Sequence, residues 1–159
     1  MFDMQNMTKN LVVSILSISA LSACSSTLTN KEVKESLIYG NSGAIGMLLS
    51  DSDVYLKATD RELDAVTWEL LKSTKVKLDT IRGMEEEIGG DYRIENGLTP
   101  GKMNQLCLIN NFMLKHRKEF PPTIDTSGIY SWIDQKQIVY KKELNAYLGD
   151  KRMKNDCRS

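Results

Sequence analysis

The eleven residues from Leu11 to Leu21, LVVSILSISAL, decide how much of this chain is left to fold, because they carry no charge yet are too few to cross a membrane. A spanning helix needs about 20 apolar residues at a rise of about 1.5 Å each, whereas the core of a secretory leader needs about 7 to 15. The run has the second length. Its apolar residues are nearly continuous, broken by three serines, and do not recur at a helical period as those of a buried helix in a folded domain would. In the preceding MFDMQNMTKN, Asp3 offsets Lys9, and Met4 and Met7 offer alternative starts. Starting at Met7 leaves MTKN, a positively charged flank.

The run ends in Leu21-Ser22-Ala23-Cys24, small residues before a cysteine. This quartet resembles the lipobox of bacterial lipoproteins. The resemblance covers the leader alone, and it implies cleavage before Cys24, acylation of Cys24 and attachment to a lipid bilayer. Ser25, standing where Asp would retain a lipoprotein at the inner membrane, implies transport to the outer membrane, facing the periplasm. The expected organisation is a signal peptide over 1–23, a polar lipidated tether over 24–31 (CSSTLTNK) and one domain over 32–159.

Removal of residues 1–23 leaves 136 of the 159 residues, enough for a single core that buries roughly two thirds of the unfolded surface. Twenty acidic and twenty basic residues remain after Cys24, so no global field directs the domain to nucleic acid or to an anionic surface. Aromatic residues are few, prolines number three, and the periodic stretches are helical in spacing. Together these predict an all-α fold, a bundle of about four helices.

Once Cys24 is assigned to the lipid, Cys107 and Cys157 remain, with one possible pairing. The periplasm oxidises thiols, which favours a disulfide. A closed loop of 50 residues is stabilised by about 4 kcal/mol in the chain-entropy treatment.

In EVKESLIYGNSGAIGMLLS (32–50), glycines at 40, 43 and 46 each cost about 1 kcal/mol inside a helix, which predicts two short helices broken near Gly40-Gly43. Thr59 with Glu62 reads as a capping box opening a helix to Ile88, with a stripe of Leu63, Val66, Leu70, Leu71, Leu78, Ile81 and Ile88 interrupted by Thr74 and Glu85. Thr99-Pro100 opens the next, with Met103, Leu106, Ile109, Phe112 and Met113 inward, and Lys115, His116, Arg117 and Lys118 at its end. Phe120-Pro121-Pro122 stops it. A last helix carries Ile129, Trp132, Ile133, Val139, Tyr140, Leu144, Tyr147 and Leu148 up to Gly149, with Lys136 and Glu143 breaking the stripe. Pairing these two helices antiparallel sets Cys107 opposite about residue 138, and the tail KRMKNDCRS, irregular in pattern, must return to bring Cys157 there.

Candidate chemistry is sparse. Asp51, Asp53, Thr59 and Glu62 match four places of a calcium loop, but Tyr55 and Leu56 occupy the places of a ligand and of the obligatory glycine, so the segment reads as a polar turn and cap. His116 lacks an acidic neighbour to orient it, and on one helix it points away from Cys107, so it reads as a solvated helix-end group. No His or Cys pair has metal-ligand spacing, and neither metal nor cofactor is expected. The Glu85-Glu86-Glu87 run and the Lys151-Arg152-Lys154 tail read as solvated ends.

Glu35-Ser36 followed by Ser42-Gly43-Ala44-Ile45-Gly46-Met47 is similar to the Glu-Ser and Gly-Ala-x-Gly-Leu-Met-Gln motifs of lysozyme-like lytic transglycosylases. That resemblance implies peptidoglycan cleavage with Glu35 as general acid. Here the two motifs stand about four residues too close, Leu49 replaces the Gln, and Gly43 to Gly46 reads instead as a close helix contact. The chain therefore reads first as a membrane-anchored, non-enzymatic binding or assembly factor that docks a protein partner. Secretion pilotins and the entry-exclusion proteins of mobile elements, small helical lipoproteins, are similar in architecture.

Overall fold

The computed structural model describes residues 29–59 and 61–158, so the apolar run, Cys24 and most of the tether lie outside the described residues. Residues 34–159 form one compact unit, and of the other, residues 1–33, the last five are described. The described residues are all-α: α1 (Asn30–Ser50), α2 (Ser52–Thr59), α3 (Ala65–Ile88), α4 (Pro100–Lys115) and α5 (Ser127–Leu148), with short 3-10 turns at Ile94–Gly97 and Arg117–Glu119. Among them no helix is long and apolar enough to cross a membrane.

The N-terminal helix begins at Asn30, inside the expected tether, because Thr29 and Glu32 form a reciprocal capping box: Thr29 N–H donates to the Glu32 carboxylate at 2.7 Å and Glu32 N–H to the Thr29 hydroxyl at 3.3 Å. The expected break at Gly40-Gly43 does not occur, and α1 runs unbroken for 21 residues. Three glycines are tolerated because Asn41, Ile45, Leu48 and Leu49 bury one face, and burial outweighs a propensity cost of about 1 kcal/mol per glycine. Nor are Gly43 and Gly46 the close contact. A Cβ at either would meet open space, whereas one at Gly40 would touch Met84 of α3 at 3.8 Å.

The predicted start of the long helix at Thr59 is also corrected. Thr59 ends α2, its hydroxyl donating to the Tyr55 carbonyl at 2.7 Å, and Asp64 caps α3 by accepting from Thr67 N–H at 2.7 Å. The stripe shortens accordingly. Leu71, Leu78, Ile81 and Ile88 are buried, while Leu63 and Val66 are exposed.

The helix from Pro100 matches its expected form, with Thr99 as cap and Met103, Leu106, Ile109, Phe112 and Met113 all buried. It is the central helix, packed along both α2 and α5. Tyr55 of α2 meets Phe112 edge-on at 5.6 Å, and Phe120, just before the Pro-Pro stop, packs on Trp68 at 5.4 Å.

The register of α4 and α5 follows the expected hairpin within one residue, since the Gln137 side-chain amide donates to the Cys107 carbonyl at 3.2 Å. Cys107 and Cys157 are joined as a disulfide, with Cα atoms 5.9 Å apart. The tail is ordered into a clasp. Asn104 receives Cys157 N–H and donates to the Asn155 carbonyl, both at 2.9 Å, while Arg158 donates to the Gly149 carbonyl at 2.9 Å and pairs with Asp156 at 2.7 Å. The Arg158 guanidinium holds the Asp156 carboxyl well below the usual carboxylate range.

Candidate functional site

The residues that interrupt the apolar stripes meet in the interior. Glu85, expected in a solvated acidic run, is buried because its carboxylate is fully engaged: it accepts Ile94 N–H at 3.1 Å, Trp132 Nε1–H at 2.8 Å and the Lys136 ammonium at 2.6 Å. Lys136, which breaks the stripe of α5, is buried for the same reason and also pairs with Glu95 at 2.6 Å. Neighbouring Tyr140 has its hydroxyl pKa pushed up by burial and then by the charges of Glu95 and Glu85. Thr74, the other interrupter, lies 2.6 Å from the Leu70 carbonyl and 3.0 Å from the Tyr55 hydroxyl. Glu86 and Glu87, by contrast, are exposed as expected.

This trio is a lock and offers little chemistry. Each carboxylate is held on the same Lys136 side chain, so the three groups are occupied with one another. Its effect is to hold the 3-10 turn at Ile94–Gly97 against α5.

His116 is not the solvated group its neighbours suggested. It is 3% exposed, packed on Phe112 at 5.1 Å, with Nε2 lacking a hydrogen-bond partner. Lys115, which was expected to serve the end of its own helix, reaches the carbonyls of Thr59 and Arg61 and so staples the α2–α3 connection to the end of α4. Burial, and then the Lys115 charge, lower the His116 pKa below 6.5, partly offset by Glu119 and by the Ala58 backbone. Because the unfolded state takes up the proton first, stability should hold above about pH 6.5 and fall as pH drops below it, by at most about 1.4 kcal/mol per pH unit. Urea unfolding of wild type and His116→Phe at pH 7.5 and 5.5 measures this. The variant should lose less stability between the two, and equal losses would exclude His116 as the source.

The remaining expected sites are dispersed. Glu35 is exposed on α1. The segment bearing Asp51, Asp53, Thr59 and Glu62 is largely helical instead of wrapped into a loop, and Asp51 pairs with Lys77 at 3.8 Å. No group of three or more His, Cys, Asp or Glu among the described residues is arranged to hold a metal. Lys151 and Lys154 are exposed, and Arg152 reaches Asp156 at 3.9 Å.

Several open clefts lie among the described residues, two of them of about 450 to 490 Å³. One, of about 490 Å³, lies between the Ile94–Gly97 turn and α5 and is lined by Leu98, Met103, Val139, Leu144 and Tyr147 under Glu95 and Glu143. The other, of about 450 Å³, lies between α2 and α3. Its apolar lining is Val54, Ala58, Val66 and Leu70, and Lys57, Arg61 and Lys77 stand around it together with Asp51 and Glu69. Val54 is 49% and Val66 72% exposed. The periodicity placed Val66 in the core, so this cleft was missed. The buried face of α3 is Thr67, Leu71, Thr74, Leu78, Ile81, Glu85 and Ile88, and Val66 stands about 100° out of that phase, so it faces outward. Compared with known proteins, the chain matches no family model, no curated protein and no solved structure.

Proposed function

We propose that this protein is a bacterial lipoprotein, anchored through acylated Cys24 to the outer membrane, whose helical domain is a non-enzymatic binding or assembly factor of the pilotin or entry-exclusion kind. The anchor rests on the leader and its lipobox-like quartet. The binding role rests on one observation, the α2–α3 cleft in which Val54 stays 49% and Val66 72% exposed. The most deeply buried charges are all spent on holding the fold, which leaves the open surface as the place for function.

Palmitate should label wild-type protein in cells and leave Cys24→Ala unlabelled; an unlabelled wild type overturns the anchor, since two or more acyl chains are what makes such attachment stable. A photo-activated crosslinker placed at Val66 should give a discrete protein adduct in the same cells. If none forms, the domain has no partner at this face.

A further inference from the structure

We infer that the α2–α3 cleft receives an acidic amphipathic helix from the protein partner, an inference that rests on the binding role proposed above and adds the partner's chemistry to it. On α2 the lining residues Val54, Lys57 and Ala58 follow spacings of three and one, which place them along one helical face, and Arg61 lies beyond the end of that helix, before α3. On α3, Val66, Leu70, Ser73 and Lys77 do the same at spacings of four, three and four. Two such faces joined by a short connection make a trough with an apolar floor, the shape that takes the apolar side of a helix through anchors at i, i+3, i+4 and i+7.

The charges around the trough give the occupant its sign. Of the two acids there, Asp51 pairs with Lys77 at 3.8 Å and Glu69 with Lys72 at 2.6 Å. Among the described residues, Lys57 and Arg61 take part in no ion pair, and Arg61 acts on the capping carboxylate of Asp64 at longer range. A helix seated on Val54, Ala58, Val66 and Leu70 with glutamates or aspartates along its edges would meet both cations, which favours encounter and fixes orientation. A concave trough does not conform to a flat bilayer, so a peptide suits it better than anionic headgroups do.

The test uses the full chain in phosphatidylcholine nanodiscs and, as probe, a fluorescein-labelled helix of about five turns with leucines at i, i+3, i+4 and i+7 and glutamates flanking them. A second probe carries lysines in place of the glutamates. By fluorescence anisotropy the glutamate peptide should bind about tenfold or more tighter than the lysine peptide, and Val66→Asp should weaken it by a similar factor. Lys57→Glu combined with Arg61→Glu should reverse the preference between the peptides, a gain that misfolding cannot mimic. Equal binding of the two peptides, or binding indifferent to Val66→Asp, overturns the inference. So does self-association in the ultracentrifuge that Val66→Asp abolishes, which would make a second copy the occupant. Binding to phosphatidylglycerol vesicles without binding to either peptide overturns it in favour of a membrane. If the Val66 crosslinker yields an adduct in cells while the glutamate peptide fails, the binding role stands and this inference falls; if neither gives a signal, both fall.

Discussion

Lys136→Met should lower the stability of the fold by about 3–5 kcal/mol, because it leaves the buried Glu85 beside the half-buried Glu95 with no cation between them. The substitution keeps the volume but removes the ammonium, which also stands 5.5 Å from the Trp132 ring, so the loss is one of charge compensation and only slightly one of packing. Urea unfolding followed by far-UV circular dichroism measures it. Glu85→Gln combined with Lys136→Met should recover part of the loss, since a buried charge is removed and the amide oxygen can still accept from one of the two donors, Trp132 Nε1–H or Ile94 N–H, which bind different oxygens of Glu85. A loss below about 1 kcal/mol in the single variant would show that water reaches the trio and that the lock is weak.

The second large effect is expected of the staple. Cys107→Ala with Cys157→Ala should cost about 4 kcal/mol, the loop-closure entropy that a separation of 50 residues returns to the unfolded chain. Both cysteines are buried, at 0% and 1% exposure, and the tail is held over α4 by Asn104. Dithiothreitol should therefore act slowly on the native protein and quickly in urea. Thiol counting in denaturant without reductant is the direct check: two titratable thiols from Cys107 and Cys157 would remove the staple. The unfolding midpoint of the double variant then tells whether the clasp of Arg158, Asp156 and Asn104 holds the tail without it.

Local patterns carried some elements through unchanged. Thr99-Pro100 combines a side-chain acceptor with a residue that needs no N–H, and the five apolar residues that follow share one face, so α4 needed no tertiary help to be placed. The pairing of Cys107 with Cys157 followed from counting and from a hairpin register that Gln137 reproduces. Other elements turned on competitions that local pattern does not rank. Glycines argued for a break in α1, and burial of Ile45, Leu48 and Leu49 overrode them. Thr59 and Asp64 were both possible caps, and packing of α3 on the face of Thr67, Leu71, Thr74 and Leu78 left Val66 on the surface beside the cleft.

What the sequence determined by itself is the all-α class, the course of α4 and α5, and the covalent link between α4 and the tail, because these depend on spacing, capping and count, which are properties of neighbours along the chain. Only the tertiary structure decided the fate of the charges. Glu85 looks like Glu86 and Glu87 until Trp132, Lys136 and the Ile94 amide surround it, and His116 looks solvated until α2 is laid across it. Burying a charge depends on partners from 9 to 51 residues away arriving together, and no local pattern in the sequence records which of several similar acids will receive them.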